Sequence, residues 1–328
     1  MWEGGRMFER VLVMYIYAET PIHPGSGTTI SGAVDLPIQR ERHTEFPIIQ
    51  GSSLKGVLRN SACLVKIADK CEKCDRKLKT IEKCEILRQI FGSPEGIGGI
   101  SITDAKILAY PVRTLKGVFG WVTCPLVLDR YKRDLKIANA DANWNLKNLD
   151  INDNKAIISK RSSLQVELGK ENKRKKYVYV EDIQLEVEER DDLIRIITSE
   201  IVKGLPNNNT YEAIKDKLSR DLIIVSDNVF RDLVTLTTEI ITRIKINPET
   251  GTVETGGLWS EEYLPMDTLM YSLILIPSRL NKLKSEEIEN KITKYDEKIL
   301  QIGGDETIGK GFVRIRLVKG GNKNVTRS

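Results

Sequence analysis

The sequence predicts an α+β fold in which apolar strands alternate with amphipathic helices. The 328-residue chain is 40% hydrophobic and 30% charged, a composition typical of globular proteins. Segments of strand-like alternation are separated by segments in which apolar residues recur at helical spacing. In chain order these segments give a strand, a helix, strands, a helix and a strand, with long insertions between them. That order is compatible with a split βαβ, ferredoxin-like core.

The first predicted elements are a strand at Phe8 to Ala18, which is rich in Val, Tyr and Ile, and a helix that begins at Gly51. The helix has a serine cap and an apolar stripe from Leu54 to Ala68. Between them lies a long loop, punctuated by Gly and Pro, that carries Asp35. A loop of this length inside a compact domain is usually functional or disordered.

The remaining elements follow from the same patterns. Short strands are predicted at 100–103 and 118–122, and hydrophobic periodicity then fades from about 132 to 176, which indicates an insertion. The other predicted elements are helices at 186–200, 211–218, 228–242 and 285–302, strands at 177–187, 222–225, 268–276 and 312–318, and a hairpin at 242–255. No linker separates two cores, so we expect one domain over residues 1–328.

Two glycine-containing segments are candidate phosphate sites. Gly51 begins a helix whose free N–H groups attract anions, and Lys55 lies one turn further on. The second segment, Gly303 to Gly311, contains Lys310 and lacks the side chains that would keep nucleic acid away from the backbone. For the first segment the alternative explanation is an ordinary capped surface helix that carries lysines, and the second segment strengthens the phosphate interpretation.

Four of the five cysteines lie close together in the chain, namely Cys63, Cys71, Cys74 and Cys84. Cys71 and Cys74 have the C-x₂-C spacing that allows two thiolates to bind one tetrahedral zinc ion. Cys63 is predicted on the face of the first helix away from the apolar stripe, where a ligand is more plausible than a core residue. We therefore predict a structural Zn²⁺, with reduced free thiols as the alternative. Cys124 is expected in the core.

Charge and hydropathy limit the class of protein. The net charge of +5 is too small to prove a polyanionic partner, but basic residues cluster at 170–176 and after residue 301. The longest apolar runs have strand length, well short of the ~20 residues of a membrane span. The N-terminus lacks a secretory signal, so we expect a cytoplasmic protein. Abundant Lys, Glu and Ile with two histidines is typical of a thermophile.

Five segments together resemble the RAMP superfamily of CRISPR proteins. PIIQGSSLKGVLR at 47–59, FGS at 91–93 and the glycine loop at 302–312 resemble the superfamily's landmarks in their usual order. SGAVDLPIQRERHT at 31–44 and GLWSEEYLP at 257–265 resemble the repeated backbone subunit of the type III-B (Cmr) effector complex. The resemblance runs from about residue 10 to residue 318 and identifies the chain as a member of this superfamily.

The resemblance implies a fold and an activity. It implies an RRM-like (ferredoxin-like βαββαβ) palm with insertions at about 63–95 and 130–180 and a β-hairpin thumb at about 240–265. It implies a subunit that binds CRISPR guide RNA, assembles with copies of itself and with other Cmr subunits, and cleaves complementary single-stranded target RNA at regular intervals. The expected cofactor is Mg²⁺ or Mn²⁺, because a hard cation neutralises charge on a reacting phosphate.

The resemblance also implies the site residues. Asp35, which from sequence chemistry alone would be a solvated carboxylate, becomes the expected catalytic residue, with Glu261 and Tyr263 as further candidates. The expected RNA-binding residues are His23, Arg40, Arg42, Ser53, Lys55, Arg59, Trp259, Gly309 and Lys310. His23 is equally compatible with a buried, hydrogen-bonded side chain, and Trp259 with ordinary core packing.

Two other functions remain open at this stage. One is a RAMP endoribonuclease that processes the CRISPR repeat, without a metal and with a histidine such as His23 or His43 as general acid or base. The other is a structural RNA-binding subunit with no chemistry of its own. Cleavage in EDTA would favour the first, and a fate of the target RNA that Asp35→Ala does not change would favour the second.

Overall fold

The computed structural model describes residues 8–27, 34–67, 84–94, 96–146, 149, 151–170, 174–277 and 283–321. The strands are β1 (Phe8–Ala18), β2 (Ile48–Ile49), β3 (Ser101–Ile102), β4 (Ala105–Arg113), β5 (Phe119–Thr123), β6 (Lys155–Ile158), β7 (Val166–Leu168), β8 (Lys175–Val180), β9 (Ile183–Glu189), β10 (Leu222–Ile224), β11 (Glu239–Ile246), β12 (Val253–Tyr263), β13 (Leu269–Pro277), β14 (Ile299–Gln301) and β15 (Phe312–Lys319). The α-helices are α1 (Gly51–Ser61), α2 (Glu85–Phe91), α3 (Pro125–Ile137), α4 (Asp191–Ile201), α5 (Glu212–Asp221), α6 (Asp227–Leu236) and α7 (Ser285–Ile292).

One large, mostly antiparallel sheet organises the described residues, and the predicted α+β class is confirmed. It contains thirteen strands, with the order β14-β15-β1-β13-β4-β5-β10-β6-β9-β8-β7 and with β2 and β3 paired at the side. β1 is the third strand in this order and is antiparallel to both β13 and β15. β13 in turn pairs antiparallel with β4. The strands beyond β4 come from the middle of the chain and extend the sheet on that side.

The core lies around the central strands, which are buried along most of their length. β1 is buried from Val11 to Ala18, and β13 is buried over most of its residues, as expected for strands covered on both faces. Helix α1 packs Leu54 and Leu58 into this core, and α7 adds Ile288 and Ile292. The helical stripes that the sequence predicts therefore face the sheet.

The hairpin predicted at 242–255 is confirmed and is longer than expected. β11 and β12 form a separate two-stranded antiparallel sheet. The turn at 247–251 is closed by hydrogen bonds from Asn247 N to Thr252 O and from Gly251 N to Asn247 O. Gly251 has a φ of +67°, which favours glycine. The base of the hairpin reaches Tyr263 and so includes the GLWSEEYLP segment.

Several predicted boundaries are wrong, each because tertiary pairing overrides local periodicity. Helix α1 ends at Ser61 and not near Ala68. Helix α6 ends at Leu236, since the following residues pair with β12. The helix predicted at 285–302 ends at Ile292, and its last residues form β14 against β15.

The predicted serine cap of α1 is also wrong. Gln50 occupies the N-cap position and makes no side-chain cap. The N–H of Gly51 instead donates to Asp104 Oδ1 at 2.8 Å, so a carboxylate from another segment satisfies the helix start. A Cβ at Gly51 would lie 2.3 Å from the Ile102 carbonyl oxygen, which explains the glycine. Among the described helices, none is long and apolar enough to cross a membrane.

Candidate active site

The base of the hairpin carries a buried ionic cluster built around Glu261. The side chain of Glu261 is 7% exposed, and its Oε2 lies 2.7 Å from Nε of Arg243. Its Oε1 accepts a 2.7 Å hydrogen bond from the Trp259 indole, and the Tyr263 hydroxyl also donates to the carboxylate. Arg243, Trp259, Glu261 and Tyr263 share one face of the hairpin, because side chains alternate along paired strands.

The glycine loop closes over this cluster. The Tyr263 hydroxyl lies 2.8 Å from Oδ2 of Asp305, and Arg243 Nη2 lies 3.5 Å from the same oxygen. Lys310 Nζ stands over the Tyr263 ring, 5.1 Å from its centroid. Burial raises the pKa of the Tyr263 hydroxyl, and the neighbouring carboxylates raise it further, so the phenol stays protonated.

His23 joins the hairpin base to the glycine loop. Its Nδ1 lies 2.6 Å from the Glu262 carbonyl oxygen, and its ring centroid lies 5.5 Å from that of Tyr263. Because a carbonyl oxygen only accepts hydrogen bonds, Nδ1 must carry a proton. The carbonyl oxygen of His23 accepts from the Gly304 N–H at 3.1 Å. A Cβ at Gly303, where φ is +86°, would lie 2.2 Å from that carbonyl oxygen, so this contact requires glycine.

Gly309 differs from the other glycines of the loop. Its φ is +80°, and in the described part of the chain a Cβ there would meet nothing within 4 Å. The Cα of Gly309 is therefore sterically open beside Lys310, while its N–H donates to the carbonyl oxygen of Glu306 at 3.1 Å. This is the part of the loop that fits the prediction of close approach by a phosphate backbone.

Asp35 lies on the other side of β12 from Glu261. Ser260 donates to Asp35 Oδ2 twice, from its backbone N–H and from its hydroxyl, each at 2.8 Å. The Asp35 N–H donates to Ser260 Oγ at 3.0 Å. The Asp35 side chain is otherwise exposed, and the Ser260 hydrogen bonds lower the pKa of its carboxyl group, first through the backbone N–H and then through the hydroxyl. The site thus presents an ionised carboxylate in a fixed orientation.

The three predicted catalytic residues therefore do not form one cluster. Asp35 is exposed on the face that Ser260 shares, whereas Glu261 and Tyr263 are buried on the opposite face of the same strand. Glu261 is neutralised by Arg243 and has its oxygens occupied by hydrogen bonds. Within this chain, Asp35 alone among the three offers an accessible carboxylate.

Arg40 belongs to the frame of the site. Its guanidinium forms an ion pair with Glu262 and donates to the carbonyl oxygen of Val234 at 3.0 Å. Glu262 Oε2 also accepts from the Ile38 N–H at 2.9 Å. These contacts attach the loop that carries Asp35 to the base of the hairpin. Arg42 is exposed and makes a better candidate for contact with a partner than Arg40.

The face of the hairpin that carries Ser260 is apolar and exposed. Ile244 and Leu258 are opposite each other in the register and are 51% and 63% exposed. Ile240, Ile246 and Val253 are also about half exposed. An exposed apolar surface of this kind indicates a binding site, because apolar side chains that stay in contact with water do not stabilise the hairpin.

The residues predicted on α1 are placed differently from one another. Ser53 is exposed in the first turn, and Arg59 is half-buried. Lys55 Nζ donates to the carbonyl oxygen of Ile100 at 3.0 Å, and burial lowers the pKa of its ammonium group. The ammonium group of Lys55 thus already has an internal partner.

The predicted zinc site is only partly within the described residues. Cys71 and Cys74 lie outside them, so the zinc ion stays a prediction. Cys63 is half-buried against the core, which corrects its expected position away from the apolar stripe, and it is disulfide-bonded. Cys84 is a free, half-buried thiol and Cys124 a free, buried one. A zinc site that includes Cys63 would require reduction of its disulfide.

The residues around Asp35 do not form a metal cage. Within the described segments, no group of three or more His, Cys, Asp or Glu could hold a metal ion. A single exposed carboxylate fits a Mg²⁺ ion only when phosphate oxygens and water supply most of the ligands, as is common for this cation. Asp35 meets that requirement because its side chain is ionised and exposed.

Sequence reasoning missed Arg243, Ser260 and Asp305. Arg243 directly follows the predicted helix at 228–242. Its place on the same strand face as Ile241 and Lys245 becomes visible only once the strand is known to begin at Glu239. Ser260 and Asp305 were within quoted motifs, but neither has a chemical signal of its own. Their importance comes from partners distant in the sequence, 225 residues away for Ser260.

The comparisons with known proteins agree with the motifs. A model of the RAMP superfamily matches residues 15–314. The CRISPR system Cmr endoribonuclease Cmr4 of Pyrococcus furiosus is 44% identical over 318 residues, which span 95% of this chain and 97% of that protein. The crystal structure of oligomeric Cmr4 from Pyrococcus furiosus superposes with a TM-score of 0.69 at 36% identity, covering 95% of this chain and 99% of that one.

The chain also resembles a subunit in the structure of an assembled complex. A chain of the type III-B Cmr-beta cryo-EM structure in the apo state has a TM-score of 0.67 and 25% identity, covering 95% of this chain and 99% of that one. The family model spans most of the sequence, and the identity to a Cmr subunit extends over nearly its full length. The chain therefore belongs to the RAMP superfamily, in the family of Cmr complex subunits.

Proposed function

We propose that the chain is the repeated backbone subunit of a type III-B CRISPR effector complex in the cytoplasm, and that it cleaves target RNA endonucleolytically. The observation that carries this proposal is the 44% identity, over 95% of the chain, to a Cmr endoribonuclease. An exposed, ionised Asp35 on a rigid support is the feature of the structure that this activity needs.

The central strands support an RRM-like palm. The order β15-β1-β13-β4 with antiparallel neighbours is that of a four-stranded βαββαβ sheet. Helix α1 follows β1, and α7 lies between β13 and β15, as this arrangement requires. The insertion at about 63–95 then falls between α1 and β4, and the insertion at about 130–180 and the hairpin fall between β4 and β13.

Guide RNA would be held mainly through its phosphates. Gly309 presents a sterically open Cα and Lys310 a neighbouring cation, both of which suit contacts that do not read bases. The exposed apolar face of the β11–β12 hairpin would act as the thumb, separating segments of the guide–target duplex next to Asp35. Copies of the chain would repeat this arrangement along the RNA, consistent with the oligomeric state of the Pyrococcus relative.

The proposed reaction is attack of a ribose 2′-hydroxyl oxygen on its adjacent phosphorus, which forms a 2′,3′-cyclic phosphate and breaks the bond from phosphorus to the 5′-oxygen of the next nucleotide. The hydroxyl proton passes to water, and the leaving 5′-oxygen takes up a proton from water. Asp35 would accept a hydrogen bond from that hydroxyl and orient it for attack in line with the leaving oxygen. A lowered pKa makes Asp35 a weak general base, so orientation and charge compensation are its main contributions. A divalent cation held by Asp35, phosphate and water would neutralise the charge that develops on the phosphate.

The structure favours this mechanism over histidine-based repeat processing. His23 has Nδ1 bonded to the Glu262 carbonyl and stands against Tyr263, while Asp35 lies across the strand. His43 is exposed and hydrogen-bonded to Arg130. The ring nitrogens in these hydrogen bonds are thus engaged with groups of the protein and not presented to a substrate.

The test is target cleavage by a reconstituted complex that contains guide RNA. End-labelled complementary RNA should give products of constant spacing in the presence of Mg²⁺ or Mn²⁺, and intact RNA in EDTA. A non-complementary RNA is the control for guiding. Intact target under all conditions would show a binding subunit without chemistry, and cleavage of CRISPR repeat RNA in EDTA would show the processing enzyme instead.

A further inference from the structure

The link between Ser260 and Asp35 is reciprocal. The Ser260 hydroxyl donates to Asp35 Oδ2 at 2.8 Å and accepts from the Asp35 N–H at 3.0 Å. The Ser260 N–H donates to the same carboxylate oxygen, also at 2.8 Å. A serine hydroxyl has one proton to donate and lone pairs to accept, so a single Oγ can serve both roles at once.

The backbone on either side reinforces the link. Leu36 N–H donates to the carbonyl oxygen of Ser260 at 3.0 Å, and Glu262 N–H donates to that of Leu36 at 3.0 Å. These bonds hold the Asp35 loop along β12 whatever the side chain at position 260. The Ser260 hydroxyl is therefore not needed to hold the loop, and its contribution is to fix the orientation of the Asp35 carboxylate.

The hydrogen bonds from Ser260 to the carboxylate end on one oxygen. Both Ser260 donors converge on Oδ2, so the link does not use Oδ1. An exposed Asp side chain without such support samples several rotamers, and reacting groups must be held close to their productive geometry. With two donors on Oδ2, the direction of Oδ1 is set by the strand.

We propose that Ser260 is a positioning residue for RNA cleavage, which aims Oδ1 of Asp35 at the reacting ribose or at a cation bound to it. This inference rests on the proposed function and adds to it a residue that does not touch the substrate. It also makes the catalytic carboxylate part of the hairpin, because Ser260 lies on β12 opposite Thr242. The thumb and the cleavage site are then one rigid unit.

Four variants of the complex test this proposal, namely Ser260→Ala, Ser260→Val, Ser260→Thr and the control Ser199→Val. Val and Thr have nearly the same shape, but only Thr keeps the hydroxyl. Ser199→Val makes the same change at an exposed serine of α4, outside the hairpin, whose hydroxyl donates to the carbonyl oxygen of Ile196. Each complex is measured for target RNA affinity and, separately, for the single-turnover cleavage rate at saturating complex.

We expect Ser260→Ala and Ser260→Val to slow cleavage by up to about 100-fold, the size of effect produced by small misplacements of reacting groups. Target affinity should be unchanged, because the Ser260 hydroxyl is already engaged with the Asp35 carboxylate. Ser260→Thr should retain most of the rate, and Ser199→Val should cleave like the wild type. In an Asp35→Ala background, Ser260→Val should have no further effect on residual cleavage.

Wild-type cleavage by Ser260→Val would overturn the proposal, and so would a loss of target affinity that matches the loss of rate. Failure of Ser260→Thr to restore cleavage that Ser260→Val lacks would also contradict it. A failure of the proposed function looks different. In that case the wild-type complex leaves target RNA intact or Asp35→Ala cleaves fully, and the inference falls with it.

Discussion

Removing the Arg243 guanidinium should destabilise the protein, because it leaves the buried carboxylate of Glu261 without a counter-charge. Arg243 is 21% exposed and Glu261 7%, and their closest atoms lie 2.7 Å apart. Breaking a buried ion pair by removing one partner costs about 3–5 kcal/mol. Arg243 has some contact with solvent, and Glu261 keeps its hydrogen bonds from Trp259 and Tyr263. We therefore expect the low end, about 3 kcal/mol, for Arg243→Ala.

Lys245→Ala provides a matched control on the same strand. Lys245 pairs with Glu254 at 2.7 Å, but its side chain is 65% exposed. An exposed pair of this kind contributes at most about 1 kcal/mol. Both variants replace a cation of the same hairpin strand with alanine. They differ in how deeply the partner carboxylate is buried.

Thermal unfolding of the purified chain measures both effects. At about 2 °C per kcal/mol for a chain of this size, Arg243→Ala should lower the melting temperature by about 6 °C and Lys245→Ala by less than about 2 °C. Adding Glu261→Gln to Arg243→Ala removes the unpaired buried charge and should recover part of the lost melting temperature. Equal shifts for the two single variants, or a larger loss in the double variant, would refute the buried ion pair.

Two further predictions concern the glycine loop and the cysteines. Lys310→Ala should weaken guide binding across sequences and flatten its log–log salt dependence by about 1, the value for one lost phosphate contact. Lys55→Ala should leave that slope unchanged because its ammonium already binds Ile100 O; an effect confined to one guide sequence would contradict phosphate binding by Lys310. Metal analysis of the purified chain should give about one zinc per molecule, and Cys71→Ser with Cys74→Ser should release it and lower the melting temperature. A metal-free wild type with a silent double substitution would show ordinary thiols.

The sequence predicted the central sheet well because its strands have strong local signals. The strands at Phe8–Ala18, Leu269–Pro277 and Phe312–Lys319 agree with the structure to within a residue or so. β4 at Ala105–Arg113 was missed, since it is buried on both faces and lacks alternation, and it contains a proline. Helix α3 was also missed, although Pro125 at its start is a typical first-turn residue.

The site was only partly predictable for a different reason. Asp35, His23 and the hairpin base could be selected from motifs, but motifs do not show which face a side chain occupies. The pairing register of β11 and β12 places Arg243 on the same hairpin face as Glu261. It places Ser260 on the opposite face, where it bonds to Asp35. Such pairings depend on register, and a shift of one residue would reverse every face of the hairpin.

The most direct test of the account is cleavage by complexes that contain mixtures of wild-type and Asp35→Ala subunits. Asp35 is exposed, so its loss should leave the melting temperature nearly unchanged. If each copy makes one cut, the fraction of targets cut at each site should fall in proportion to the fraction of substituted subunits, with target capture and spacing unchanged. Complexes built entirely from Asp35→Ala should leave the target intact. Full cleavage by those complexes would exclude Asp35 from the chemistry and contradict the account.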